Sequence, residues 1–258
     1  MFRSSNPAFN PRSYEKTRTF GLGETMTIQG TVNKTMISLF LLVVSAAWTW
    51  SQLLQPPDSA YPGAQAQVSS NIGPIFMGAL VGSIAAWLVT AFKKEWSAYS
   101  VPVYSVFEGI LIGTISSIFE RSYPGIVVQS VALTFGVLFC MLLAYRTGFV
   151  TVTQKFRMGV TAALGAIFLI YMVNIVMRLF GGGAGFLYSS SPLGIGFSLI
   201  VVGVAALTLV LDFDFIEHAA RAGVPKYMEW YSVFGLLVSL VWLYLELLRL
   251  LSLIANRE

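Results

Sequence analysis

Four carboxylates in apolar surroundings are the residues of this chain with chemistry to offer. Asp212 and Asp214 close the apolar run LTLVLDFDF, Glu246 sits inside VWLYLELLRLL, and Glu108 sits inside VYSVFEGILIG. An ionisable side chain at membrane depth is expensive, so each marks a functional position by default. Hydrolytic chemistry does not fit them. An aspartyl protease needs two aspartates facing each other and sharing a proton, whereas Asp212 and Asp214 stand two apart on one helix and point in different directions. The only histidine, His218, follows an apolar run instead of standing beside a buried serine, which argues against a Ser–His–Asp arrangement. One histidine and one cysteine, Cys140, argue against a protein-built zinc site. Cys140 itself reads as a small packing residue within an apolar run. The glycines at 181, 182, 183 and 185 lack the lysine of a phosphate-binding loop and read as a connection. Asn33-Lys34-Thr35 has the pattern of a glycosylation acceptor but precedes the first apolar run, on the side read below as cytoplasmic. The chain reads as no enzyme, and as needing no cofactor.

Such carboxylates need a scaffold, and the composition gives its class. The chain has 258 residues, 56% of them hydrophobic and 11% charged, with a mean hydropathy of +0.73. A soluble domain carries roughly 25% charged residues, so this chain is built for a lipid bilayer. Its net charge of +4 does not point to nucleic acid, because the basic residues stand at the ends of apolar runs. A spanning helix takes about 20 mostly apolar residues. Seven runs meet or approach this: Met36–Leu54, Ile72–Phe92, Val101–Phe119, Ile126–Tyr145, Met158–Met177, Leu193–Leu211 and Tyr231–Leu251. The expected fold is an all-α membrane protein of seven transmembrane helices, since open strands leave their backbone unsatisfied in lipid.

Lysines and arginines fall in alternate connections. Arg3, Arg12, Lys16, Arg18 and Lys34 precede the first run; Lys93 and Lys94 follow the second. Arg146, Lys155 and Arg157 follow the fourth, and Arg221 and Lys226 the sixth. The other connections carry only Arg121 and Arg178. Basic loops stay inside, so the amino terminus is expected in the cytoplasm and the carboxyl terminus outside. Residues 1–34 read as a flexible cytosolic tail without the apolar centre of a signal peptide, and 35–255 as the membrane domain. Small residues at Gly78 and Gly82, Gly109 and Gly113, and Ala162 and Ala166 offer faces on which helices can approach closely.

Depth then sorts the carboxylates. Counted from the start of the third run at 1.5 Å per residue, Glu108 lies about 10 Å into the membrane. Ser239 lies about 12 Å from the start of the seventh run and Glu246 about 22 Å. Asp212 closes the sixth run on the same side. Glu108, Asp212 and Ser239 can therefore share a level, and Glu108 is expected to face Asp212 as its partner carboxylate, the pair holding a proton or transiently a calcium ion. Glu246 has Arg249 three residues on. Asp214, Glu246 and Glu229 are secondary acidic candidates.

The segments VYSVFEGILIGTISSIFE, QSVALTFGVLFCMLLAYRTG, LDFDFIEHAARAG and LYLELLRLLSLI resemble the Bax inhibitor, or transmembrane Bax inhibitor motif, superfamily, and most of all its bacterial branch. The resemblance extends from the first run to Leu253. It implies seven helices with the last at the centre, a bacterial inner membrane, and a pH-sensitive cation leak, chiefly of calcium. In the family an aspartate late in the sixth helix pairs with one in the seventh. Asp212 matches the first, whereas Ser239 stands at the position of the second. Lys93 and Lys94 stand where the family has a basic cluster, to which Arg249 is added here. A non-conducting scaffold or cell-death regulator acting through partner proteins is the alternative function.

Overall fold

A backbone crossing hydrocarbon finds no water, and a helix satisfies every N–H and C=O within its own segment. The computed structural model describes residues 24–55, 67–68, 72–181 and 190–256. They form seven helices: α1 Ile28–Leu53, α2 Ile72–Phe92, α3 Ser97–Ser122, α4 Ile126–Arg146, α5 Gln154–Leu179, α6 Pro192–Arg221 and α7 Tyr227–Ala255. All seven are long and apolar enough to cross a membrane. A 3-10 turn, Lys94–Trp96, joins α2 to α3, and a two-residue antiparallel ladder, β1 Leu54–Gln55 with β2 Gln67–Val68, lies between α1 and α2. Most of the expected tail (residues 1–23) and the glycines at 182, 183 and 185 fall outside the described residues.

Several helices outrun the apolar runs that announce them. α1 begins at Ile28 and not at Met36, α3 at Ser97 and not at Val101, and α6 continues through the polar LDFDFIEHAAR to Arg221. Hydropathy marks only what must sit in hydrocarbon; polar turns stay helical when neighbours satisfy their side chains. Residues 24–34, expected in the tail, accordingly belong to the fold. Met26 is buried against Ile216 and Ala219, its N–H donates to the Val224 carbonyl at 2.8 Å, and Thr25 bridges to Pro225. The same end gathers the start of α3, where Ser97 donates to the Tyr227 carbonyl at 2.9 Å. It also gathers the ends of α4 and α6 and the start of α5, joined by Tyr145–Glu217 and Arg157–Asp214. This is the basic end of the bundle.

α7 is the hub, packed against α1, α3, α4 and α6. Its sequence explains why. Phe234, Leu237, Val241, Tyr244 and Leu248 form one stripe at spacings of three and four, buried with residues of α1, α3 and α4. Leu236, Leu240, Leu243, Leu247 and Leu250 form a second, buried against Val202, Ala205, Leu209 and Phe213 of α6. Two apolar stripes of this kind bury a helix on two sides. Between them runs a third at the same spacing, Gly235, Ser239, Trp242, Glu246 and Arg249, which carries the polar residues.

The glycine faces differ in use. A Cβ on Gly109 would overlap the Leu42 carbonyl oxygen and Ser45 Oγ, and one on Gly113 the Ala46 carbonyl oxygen, so this pair lets α3 lie directly on α1. Gly78 faces open space, and Ala162 and Ala166 are exposed, as is Cys140, which is therefore no core packing residue. Gly109→Val is expected to destabilise the detergent-solubilised protein by about 1–3 kcal/mol, the usual cost of overpacking, while Gly78→Val leaves its melting temperature in place. Equal melting temperatures for the two variants would refute the close contact.

Candidate functional site

Asp212 lies nine residues before the end of α6 at Arg221, about 13 Å along the helix from the basic end. It was expected at the helix end; the longer α6 places it well inside the bundle. Its Oδ2 is buried without a hydrogen-bond partner. The side chain that interacts with its carboxylate is Ser239 of α7, and Oδ1 lies 3.8 Å from where a Cβ on Gly235 would be. Gly235 and Ser239 belong to the polar stripe, so α7 presents a bare backbone position and a hydroxyl to the acid. The structure thus brings together Asp212 and Ser239.

Farther along the stripe is a second polar group. Glu246 is buried and accepts a 2.8 Å hydrogen bond from the Tyr171 hydroxyl of α5. Arg249 Nη1 lies 3.5 Å from the Glu246 carboxylate and also donates to the Tyr171 hydroxyl. Its guanidinium sits 5.6 Å from the Tyr171 ring centroid. Ser239 and Glu246 are seven residues apart, or about 10 Å, with Trp242 between them on the stripe. Asp212 and Glu246 therefore occupy two levels of one polar seam, and Glu246 is tied to Arg249 and Tyr171.

Glu108 does not join Asp212. Its partners are Ser83 on α2, which donates to Oε2, and Tyr104 one turn back on α3. Tyr104 in turn meets Phe234 of α7 edge-on, ring centroids 5.1 Å apart. Glu108 therefore belongs to the α2–α3 side of α7 and Asp212 to the α6 side. A depth count along a helix carries no azimuth, and the central helix α7 lies between the two. Among the described residues no three His, Cys, Asp or Glu side chains converge as metal ligands.

The remaining acids are held by structural partners at the basic end. Asp214, buried, accepts from Arg157 of α5 at 2.7 Å, with His218 Nδ1 3.3 Å away. Glu229 is fully buried; it accepts from the Thr27 N–H at 2.8 Å and the Thr27 hydroxyl at 3.0 Å, and pairs with Lys34. Lys93 lies over the Trp96 ring at 4.6 Å and Lys94 over Tyr231 at 4.9 Å. They brace the turn between α2 and α3, while Arg249 sits near the opposite end of α7 and is no part of that cluster.

The chain matches the family model described as Bax inhibitor 1 like over residues 6–256. It belongs to that family. No curated protein and no solved structure matches it. The Bax inhibitor 1 like family is linked to membrane channel and regulator roles, and the seven apolar helices agree with a multi-pass membrane protein. Three residues of this Bax inhibitor 1 like chain belong beside those expected from sequence: Tyr171, Ser83 and Tyr104. Tyr104 was legible, four residues before Glu108 and so on the same helical face. Tyr171 and Ser83 come from other helices, and nothing local marks them.

Proposed function

We propose that the protein is a pH-sensitive cation leak, with calcium as its ion, controlled by Asp212 against Ser239. The supporting observation is the buried, unpartnered Asp212 Oδ2 on the face of α6 that meets the central helix. Leaving a carboxylate ionised there is costly unless it is paired, and a proton or a cation supplies the missing partner. Carboxylate and hydroxyl oxygens suit a hard cation such as calcium. The path follows the polar stripe of α7 past Asp212 and Ser239, then Trp242, to Glu246, Arg249 and Tyr171. Proton binding at Asp212 alters its hold on α7 and so the width of the seam. The basic end faces the cytoplasm in this reading, by the alternation of lysines and arginines. No residue is assigned a catalytic role.

Purified protein in dye-loaded vesicles tests the reading. Calcium entry is expected above that of protein-free vesicles and to change with pH, and Asp212→Asn is expected to remove the pH dependence. Glu108→Gln, which keeps an acceptor for Ser83, is expected to preserve it. No calcium entry in the wild type overturns the leak and favours a non-conducting regulator. Loss of pH dependence in Glu108→Gln alone would move the sensor to the α2–α3 side.

A further inference from the structure

The two acids along the seam differ in what holds them. Among the described residues, Glu246 pairs with a basic side chain, Arg249, and Asp212 pairs with none. Arg249 stands six residues before the end of α7 at Ala255, about 9 Å along the helix. An ion arriving from the end opposite the basic one therefore reaches the level of Arg249 before that of Glu246. Both side chains are largely buried, with exposures of 8% for Glu246 and 15% for Arg249. A fixed positive charge on a cation path is a barrier to cations, so its presence on this one calls for a reason.

Stability alone does not supply it. A buried ion pair is often no more stabilising than apolar residues of similar volume. The direct contact is also slack. Arg249 Nη1 lies 3.5 Å from Glu246 Oε2, against roughly 2.7–2.9 Å for a well-made charge-assisted hydrogen bond. The Tyr171 hydroxyl bridges the two: it accepts from Arg249 Nη1 and donates to Glu246 Oε1 at 2.8 Å. The guanidinium also lies 5.6 Å from the Tyr171 ring centroid, within reach of cation–π attraction. Phe197 of α6 meets that ring edge-on, centroids 6.3 Å apart, and so helps to fix where the ring and its hydroxyl stand. Arg249 thus has two supports, the carboxylate and the tyrosine, and can leave the first while keeping the second.

We infer, on the reading of the seam as the ion path, that Arg249 is a tethered counter-ion, which occupies Glu246 Oε2 at rest and yields that oxygen to a calcium ion while Tyr171 holds the guanidinium. Glu246 keeps the Tyr171 hydrogen bond at Oε1 in both arrangements. The burial of the carboxylate at rest follows, because the guanidinium fills the place that the ion takes. Conduction needs sites that bind an ion and also release it. Two uncompensated acids in series hold a divalent ion firmly; Arg249 supplies the competing charge at the outer one.

The test is calcium entry into dye-loaded vesicles carrying the full chain, followed over a series of external calcium concentrations. Arg249→Gln leaves Glu246 without its competitor, and the concentration giving half-maximal entry is expected to fall by about tenfold or more. Glu246→Gln leaves the guanidinium unopposed on the path and is expected to bring entry down to that of protein-free vesicles. The double variant carries neither charge and is expected to restore the entry lost in Glu246→Gln. A pair that only braces the fold would lower entry alike in both single variants, and that result overturns the inference. So does a half-maximal concentration in Arg249→Gln equal to that of the wild type. Tyr171→Phe keeps the ring, alters no charge and serves should the charge variants fail to fold. Without the hydroxyl the guanidinium loses a support away from Glu246, so the half-maximal concentration is expected to rise; a wild-type value there overturns the exchange. No calcium entry in the wild type overturns the ion path and the counter-ion together, whereas wild-type entry with Arg249→Gln unchanged overturns the counter-ion alone.

Discussion

Changing Ser239 to Asp is expected to raise the pH midpoint of cation flux by roughly one unit or more. The effect follows from what Ser239 does now. Its hydroxyl is the side chain that interacts with the Asp212 carboxylate, and a hydroxyl donor favours the charged acid. Ser239→Ala removes the donor, so a proton is held to a higher pH. Ser239→Asp removes the donor and adds a like charge at the same place, and two close carboxylates share a proton instead of ionising together. The midpoints should therefore rise in the order wild type, Ser239→Ala, Ser239→Asp. Adding Asp212→Asn to Ser239→Asp should return a single-carboxylate response. The measurement is calcium entry into dye-loaded vesicles across a pH series. A Ser239→Asp midpoint at the wild-type value would mean that Asp212 and residue 239 do not titrate as neighbours, and the sensor assignment would fall. The resemblance implied an aspartate at this position, so the variant also asks whether this chain works with one acid where a pair is usual.

Why Ser239 was legible and Glu108's place was not comes down to what sequence encodes. Spanning length and apolar content are local, so all seven helices could be read from runs of residues. Helix ends were not, because α1 and α6 extend on tertiary partners: Met26 and Thr25 meet Val224 and Pro225, residues some 200 positions on. Depth is additive along a helix, which is why Asp212 and Ser239 could be placed at compatible levels. Azimuth depends on which helix neighbours which. The pairing of Glu108 with Asp212 failed there, since α7 separates α3 from α6. One clue was available. The polar residues of α7 recur as Gly235, Ser239, Trp242, Glu246 and Arg249, the same three-and-four spacing as its leucines. Read as a stripe, they place Ser239 and Glu246 on one face, and so place Asp212 and Tyr171 against a common seam.

Glu229→Ala is expected to cost about 3 kcal/mol or more, the scale for breaking a buried ion pair by removing one partner. For a domain of this size that lowers the melting temperature by roughly 10 °C. Glu229 is fully buried while Lys34 keeps some access to solvent, with side-chain exposures of 1% and 17%, so the burden falls on the carboxylate. Its removal strands the Lys34 ammonium and the Thr27 N–H and hydroxyl together. The paired replacement Glu229→Gln with Lys34→Met should recover most of the loss, because no charge is then left unpaired. Gly30 supplies an independent check. A Cβ there would overlap the Glu229 carboxylate, so Gly30→Ala should displace the acid and reproduce part of the Glu229→Ala defect without touching a charged residue. Thermal unfolding in one detergent, with Glu229→Gln and Lys34→Met also measured singly to complete the cycle, measures each term. An unchanged melting temperature in Glu229→Ala would remove the clasp from the account of stability. The consequence for function follows from position. This clasp ties the start of α1 to the start of α7, the helix that carries Ser239 and the polar stripe facing Asp212. If α7 moves when Asp212 takes up a proton, Glu229→Ala loosens one of its anchors, so at temperatures where the variant remains folded its calcium entry should be faster than wild type and less dependent on pH.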